Sequence, residues 1–223
     1  MIKLFTDSTP NGFKISIALE ELGLEYEFQE VDFSINEQKS PEILALNPNG
    51  KIPIIVDHDN SDVTLWESGA ILLYLAEKTG KLLPSEANKK AEAYQWLMWQ
   101  MAGLGPMLGQ LLVFAIPYEN RLPEATERYR KEATRLLSVL NDQLENRDYI
   151  VGEHSIADIA CFPWVGLALQ RAGFEAKDFP NVAHWFERCF ARPAYQKGMS
   201  VPGDKPDEKR FKGFANATVG IGS

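Results

Sequence analysis

Thr9-Pro10-Asn11-Gly12 lies between a strand-like stretch and a helical one. At a helix N-terminus, hydroxyl and amide donors act with the helix dipole to stabilise a thiolate, and Thr9 and Asn11 supply such donors. The chain has no cysteine at this turn, so a thiol held there has to come from a ligand. Asn-Gly is equally an ordinary turn dipeptide. Asn49-Gly50-Lys51-Ile52-Pro53 opens a β-type run. Proline gives no N–H to a ladder, and in the cis form it turns the preceding backbone outward, where a bound peptide can pair with it. A plain edge strand that starts with proline is the other reading. Glu67-Ser68-Gly69 stands where a strand ends and a helix begins. Helix-terminal N–H groups and the Ser68 hydroxyl suit a carboxylate, and Glu67 can accept from a ligand ammonium. Simple N-capping by Ser68 explains the same residues. Ser155-Ile156-Ala157-Asp158 has the S-x-x-D pattern of a capping box and reads as the start of a buried helix rather than as a catalytic pair.

The elements around these stretches fall into two kinds. Residues 2–5 read as a strand. Residues 13–22 read as a helix with Phe13, Ile17, Ala18 and Leu22 on one face and Gly23 just beyond its end. A second strand is expected at 26–33, and Ser40-Pro41 starts a short helix that must stop before Pro48. Strands at 51–57 and 63–66 and a helix with its apolar body at 70–75 complete the order β-α-β-α-β-β-α. Beyond residue 84 only helical periods remain: 89–114 with an interruption at 103–106, 124–146, 155–172 and 182–190. The tail after Val201 reads as irregular. The class is therefore α/β plus all-α. Its domains are 1–80, a linker 81–87, and a helical domain 88–223.

Composition narrows the function. Hydrophobic residues make up 45% and charged residues 24% of 223 residues, a globular balance that argues against disorder and fibrous repeats. No unbroken apolar run approaches the ~18 residues of a membrane span, and the N-terminus lacks the pattern of a secretory signal. The formal charge of −8 has the wrong sign for a general nucleic-acid surface. Cys161 and Cys189 form no C-x-x-C pair, and His58, His154 and His184 are scattered, so neither a disulfide framework nor a metal site is expected. Few cysteines and no signal fit a reducing cytoplasm.

In this order and spacing the stretches resemble the glutathione transferase family over nearly the whole chain. The resemblance extends to Val56-Asp57-His58, to the run from Glu67 to Gly80, and to Gly103-Leu104-Gly105-Pro106-Met107-Leu108-Gly109-Gln110. These segments look like the nu class, a bacterial group close to the fungal nitrogen-regulator-like proteins. The resemblance implies a thioredoxin-like N-terminal domain, an all-helical C-terminal domain, a homodimer, and glutathione as co-substrate with no metal. Ile52 is expected to pair its backbone with the cysteinyl part of glutathione before a cis Pro53, beside Lys51. Glu67 and Ser68 would hold the γ-glutamyl end, Gln38 would reach the glycyl end, and Thr9 and Asn11 would face the sulfur. Arg128 matches the arginine that reaches the site from the partner subunit. The class resembles disulfide-bond reductases that bind two glutathiones or glutathione disulfide. The chain departs from the pattern at Phe13, where relatives mostly carry histidine, and in the apolar Leu111-Leu112-Val113-Phe114. Two alternatives follow, one from those apolar residues and one from the resemblance to the nitrogen-regulator-like branch. One is conjugation of glutathione to hydrophobic electrophiles in a pocket lined by Phe13, Leu111, Leu112 and Phe114. The other is a glutathione-binding regulatory module without catalysis.

Overall fold

The computed structural model describes residues 1–115 and 122–203. They form two compact units, one of Met1–Lys81 together with the chain from Arg192, the other of Leu82–Ala191. The first unit runs β1 (Ile2–Thr6), α1 (Pro10–Leu22), β2 (Tyr26–Glu30), α2 (Pro41–Leu46), β3 (Ile54–Asp57), β4 (Val63–Trp66) and α3 (Ser68–Thr79), the expected order. The sheet order is β2-β1-β3-β4, with β1 parallel to β2 and the other pairs antiparallel. Ile54 and Ile55, adjacent in β3, are both fully buried, as a strand covered on two faces requires. Phe5, Val31, Ile43, Ile52 and Ile54 form one core cluster, each large apolar side chain contributing about 1.5–3 kcal/mol on burial.

In the first unit three boundaries differ from the sequence expectation by three residues each. Helix α1 begins at Pro10, because Thr9 caps it and Pro10 takes the first helical position, where a missing N–H costs nothing. Strand β2 stops at Glu30, and two short 3-10 turns, Phe33–Ile35 and Glu37–Lys39, follow. Strand β3 starts at Ile54, after the proline, not at Lys51.

The first unit also contains α9 (Pro193–Gly198), which the sequence reading assigned to the helical domain and did not recognise as a helix. Long-range contacts hold it. Arg192 donates to both Glu21 carboxylate oxygens at 2.6 and 2.7 Å. Lys197 pairs with Glu20 at 2.8 Å, and the Ser16 hydroxyl donates to the Gly198 carbonyl at 2.7 Å. The irregular tail expected after Val201 falls, from residue 204 on, outside the described residues.

The helical unit contains α4 (Ala87–Trp99), α5 (Gly105–Ala115), α6 (Pro123–Gln143), α7 (Ile156–Arg171) and α8 (Pro180–Phe190). The expected break at 103–106 is a π-helical turn, Gln100–Leu104, that joins α4 to α5. Pro106 has no N–H to return to the preceding turn, and the helix widens there instead of ending. The joined helix, 29 residues from Ala87 to Ala115, is long and apolar enough to cross a membrane by length and composition, although no unbroken apolar run is. Its buried residues Ala93, Leu97, Leu104, Leu108 and Leu111 recur at helical spacing. In α7 the capping box is complete. The Ser155 hydroxyl accepts from Ala157 N–H at 3.2 Å, and the Asp158 carboxylate accepts from Ser155 N–H at 2.9 Å. Ile150 N–H and the Trp185 indole also donate to Asp158, at 3.0 and 2.9 Å.

Candidate functional site

The sheet register brings the chemical stretches to one end of the first unit. Thr6 at the end of β1 pairs with Glu30 at the end of β2, and Phe5 pairs with Ile54 at the start of β3. Ile54 in turn pairs with Trp66 at the end of β4. The loops after β1, after β2, before β3 and after β4 therefore share that end. They carry Thr9 and Asn11, Gln38, Lys51-Ile52-Pro53, and Glu67-Ser68 respectively.

The loop after β1 is shaped by its helix start. Thr9 Oγ1 accepts from Gly12 N–H at 3.1 Å, and its own proton has no acceptor among the described residues. Asn11, at the second helical position, brings a main-chain N–H and a carboxamide to the same turn. Gly12 is required here: a Cβ on it would lie 2.4 Å from both the Asp7 carbonyl and Thr6 Oγ1.

The loop before β3 is held by side chains. Asn47 Nδ2 donates to the Lys51 carbonyl at 2.7 Å, Asn47 Oδ1 accepts from Asn49 N–H at 2.9 Å, and Lys39 Nζ donates to the Asn49 carbonyl at 3.2 Å. Gly50 has φ +60°, and a Cβ on it would meet Lys39 Nζ at 2.7 Å and the Gln38 carbonyl at 3.0 Å, so this loop packs directly on the one after β2. The Ile52–Pro53 bond is cis. Ile52 is 9% exposed, yet its main chain makes no hydrogen bond among the described residues. Gln38 Oε1 is likewise shielded and without a partner among them. Buried polar groups normally find partners, so these positions call for an incoming donor and acceptor.

At the start of α3 the structure corrects the capping reading. Glu67 is the capping residue and Ser68 the first residue of the helix. Glu67 is exposed and held at φ 72°, ψ 112°, a left-handed backbone that costs a non-glycine residue about 1–3 kcal/mol. Ser68 is buried, and its hydroxyl accepts from Lys14 Nζ at 3.3 Å. Lys14 is 1% exposed. The sequence reading gives Lys14 no role, although its spacing to Ala18 and Leu22 puts it on the buried face of α1 and so signals a lysine out of place.

The remaining expected residues lie in the helical unit or in the core. Arg128 is exposed on α6. Phe13 and Leu111, expected in the alternative electrophile pocket, are buried at 7% and 0% exposure, and Phe114 stacks on Tyr129 with ring centroids 5.4 Å apart. Cys161 and Cys189 are both fully buried in the helical unit. Among the described residues no three His, Cys, Asp or Glu side chains cluster as a metal site would.

Comparison with known proteins matches this arrangement. The family model for the glutathione S-transferase N-terminal domain covers residues 2–77, and that for the C-terminal domain covers residues 106–193. The chain is 49% identical over 199 residues to the disulfide-bond oxidoreductase YfcG of Escherichia coli, spanning 87% of this chain and 92% of that protein. A glutathione transferase of Burkholderia graminis, solved with two glutathione molecules per subunit, superposes with a TM-score of 0.86 at 45% identity, over 92% of this chain and 89% of the other. One from Pseudomonas putida, solved with one glutathione disulfide per subunit, superposes with a TM-score of 0.85 at 42% identity, over 91% of this chain and 92% of the other.

Proposed function

The chain belongs to the glutathione S-transferase family, and on that premise we propose that it is a glutathione-dependent disulfide-bond reductase in which glutathione supplies every reactive sulfur. One observation carries the reading. The loop end of the first unit gathers unmet hydrogen-bonding groups on Thr9, Ile52 and Gln38, while both cysteines of the chain are fully buried in the other unit. Relatives of known structure hold glutathione or its disulfide, and YfcG is named for disulfide-bond chemistry.

In this reading the Ile52 main chain pairs with the cysteinyl residue of glutathione. Lys51 lends charge beside it, and Gln38 meets the glycyl end. Ser68 and the N–H groups at the start of α3 receive the γ-glutamyl carboxylate, and Glu67 receives its ammonium. The Thr9 hydroxyl and Asn11 then donate to sulfur at the positive end of α1, which favours thiolate over thiol. Bound thiolate attacks one sulfur of a disulfide R–S–S–R, forming a glutathione mixed disulfide and releasing RS⁻. A second glutathione thiolate attacks the glutathione sulfur of that mixed disulfide, forming glutathione disulfide and releasing the second RS⁻. Two glutathiones lose one proton and one electron each, and the substrate disulfide gains both to leave as two thiols. The protein is neither oxidised nor reduced. Arg128 reaches the site from the partner subunit of a homodimer, and the protein works in the reducing cytoplasm.

The test is glutathione-dependent reduction of 2-hydroxyethyl disulfide by a variant carrying Cys161→Ser and Cys189→Ser. The reading expects activity within about twofold of the parent, since neither thiol touches the reaction. Loss of activity in a variant with an unchanged circular dichroism spectrum overturns it.

A further inference from the structure

Helix α1 begins with the Thr9–Asn11 turn, and glycines let the chain grip it at two points. One is Gly12, seated against the Asp7 carbonyl and Thr6 Oγ1. The other lies about 7.5 Å further along the helix axis, at Ile17. Its partner there is Gly198 of α9, where a Cβ would lie 2.6 Å from both Ile17 N and Ile17 Cα. Hydrogen bonds run from that contact back to the turn. The Ser16 hydroxyl is fully buried and shares its one proton between the Gly198 carbonyl at 2.7 Å and the Phe13 carbonyl at 3.3 Å. Phe13 N–H in turn donates to the Thr9 carbonyl at 2.9 Å. The Arg192–Glu21 and Lys197–Glu20 pairs hold the rest of α9 along the same helix.

We propose that Gly198 is a positioning residue for the disulfide-bond chemistry: by letting α9 press on the backbone of α1, it holds Thr9 and Asn11 in line with the glutathione sulfur. The inference rests on the reading that glutathione binds at this end of the sheet. Ordinary contact at a Cβ begins near 3.4 Å, so a side chain at position 198 forces the two backbones apart by about 0.8 Å. Close-packed interiors transmit such strain, and the helix carries it to its first turn. Hydrogen bonds weaken steeply with length and angle, and a misplacement of about 1 Å remote from the chemistry can cost about a hundredfold in rate. Ile52, Gln38 and Glu67, which grip the peptide of glutathione in this reading, stand on other loops. The effect therefore falls on the sulfur and not on the affinity. Gly198 acts only through α1.

Two readouts separate this role from a merely structural one. Ultraviolet thiolate absorbance of the glutathione-saturated protein, followed against pH, gives the titration midpoint of the bound thiol. Steady-state reduction of 2-hydroxyethyl disulfide gives kcat and the glutathione KM. In Gly198→Ala the midpoint should rise by about one pH unit and kcat at neutral pH should fall about tenfold, with KM within about twofold of the parent. Ser16→Ala removes only the hydroxyl bridge and fits the existing space, which keeps the test open should Gly198→Ala fold poorly. It should move both quantities the same way, the midpoint by about half a unit and kcat by about threefold. A lower thermal midpoint with thiol titration and kcat unmoved means that α9 yields alone, and it overturns the proposal while the glutathione site stands. A loss confined to KM overturns it as well. A parent protein that binds no glutathione, or holds it with the midpoint of free glutathione, overturns the glutathione reading itself, and the Gly198 role with it.

Discussion

Each unit of the chain buries a charge-bearing side chain at the start of a helix, and the two charges are opposite. At the start of α7 it is an acid. Asp158 sits where the helix dipole favours an anion and accepts from Ile150 N–H, Ser155 N–H, the Ser155 hydroxyl and the Trp185 indole. At the start of α3 it is a base. Lys14 leans on Ser68 where the dipole disfavours a cation, beside Glu67 in a strained backbone. The first arrangement is complete in itself, as a structural cap should be. The second includes a strained backbone at Glu67, a cost of about 1–3 kcal/mol that a purely structural cap does not need.

The contrast can be broken most forcefully at Asp158. Replacement by alanine leaves four buried donors without an acceptor and should cost about 3–5 kcal/mol in urea denaturation, with the loss in the helical unit. A cost near zero would mean that the cap is not what holds α7. A pH series sharpens the point. Burial pushes the Asp158 carboxyl up to about 6, against the pull of its donors. A folded-state value above the ordinary carboxylate range means that the native chain holds the proton more tightly. This stabilisation is full below about pH 4 and is lost as pH rises through about 6. Asp158→Asn, which does not titrate, should cost up to about 3 kcal/mol more at pH 4 than at pH 7.

Asp57 in the first unit should show the reverse. Burial raises its carboxyl, but hydrogen bonds from Lys78, Tyr74 and Asp59 N–H outweigh burial and hold it below the usual range. Its stabilisation is present at neutral pH and lost as pH falls below the carboxylate range, so the cost of Asp57→Asn should shrink in acid. Denaturant midpoints at each pH check both signs.

Ser68→Ala probes the other side of the comparison. It should raise the glutathione KM about tenfold through a lost bond to a charged group and shift the thermal midpoint little. A large drop in the midpoint with an unchanged KM would make Ser68 a structural residue like Ser155. The smallest effect is expected for Ser155→Ala, about 1 kcal/mol of stability, read from the same denaturation curves.

Much of this was legible in the sequence, for reasons that differ by residue. The order β-α-β-α-β-β-α followed from changes of hydrophobic period and from turn residues, which are local signals. The capping box at Ser155 and Asp158 was legible because both partners lie within one turn. Pro10 carried the signal for an earlier start to α1, a threonine cap followed by proline, but Asn-Gly behind it reads just as well as a turn. Helix α9 was missed because six residues are too few to show a period, and its anchors, Glu20 and Glu21, lie some 170 residues away. Gly103 and Pro106 usually end helices, so the sequence predicts a break where the chain forms a π-helical turn. Lys14 was visible as a charge on an apolar face, but its meaning depends on Ser68, which only the packing of α1 on α3 brings near.

The central claim is that glutathione brings all the reactive sulfur, and the mass of the intact protein during turnover tests it most directly. Protein turning over glutathione and 2-hydroxyethyl disulfide is quenched in acid and weighed. The account predicts the unmodified chain mass at every time point, while the mixed disulfide of glutathione and mercaptoethanol appears in solution and gives way to glutathione disulfide. A chain carrying glutathione or mercaptoethanol, formed and consumed at the rate of turnover, would contradict it and put Cys161 or Cys189 in the mechanism.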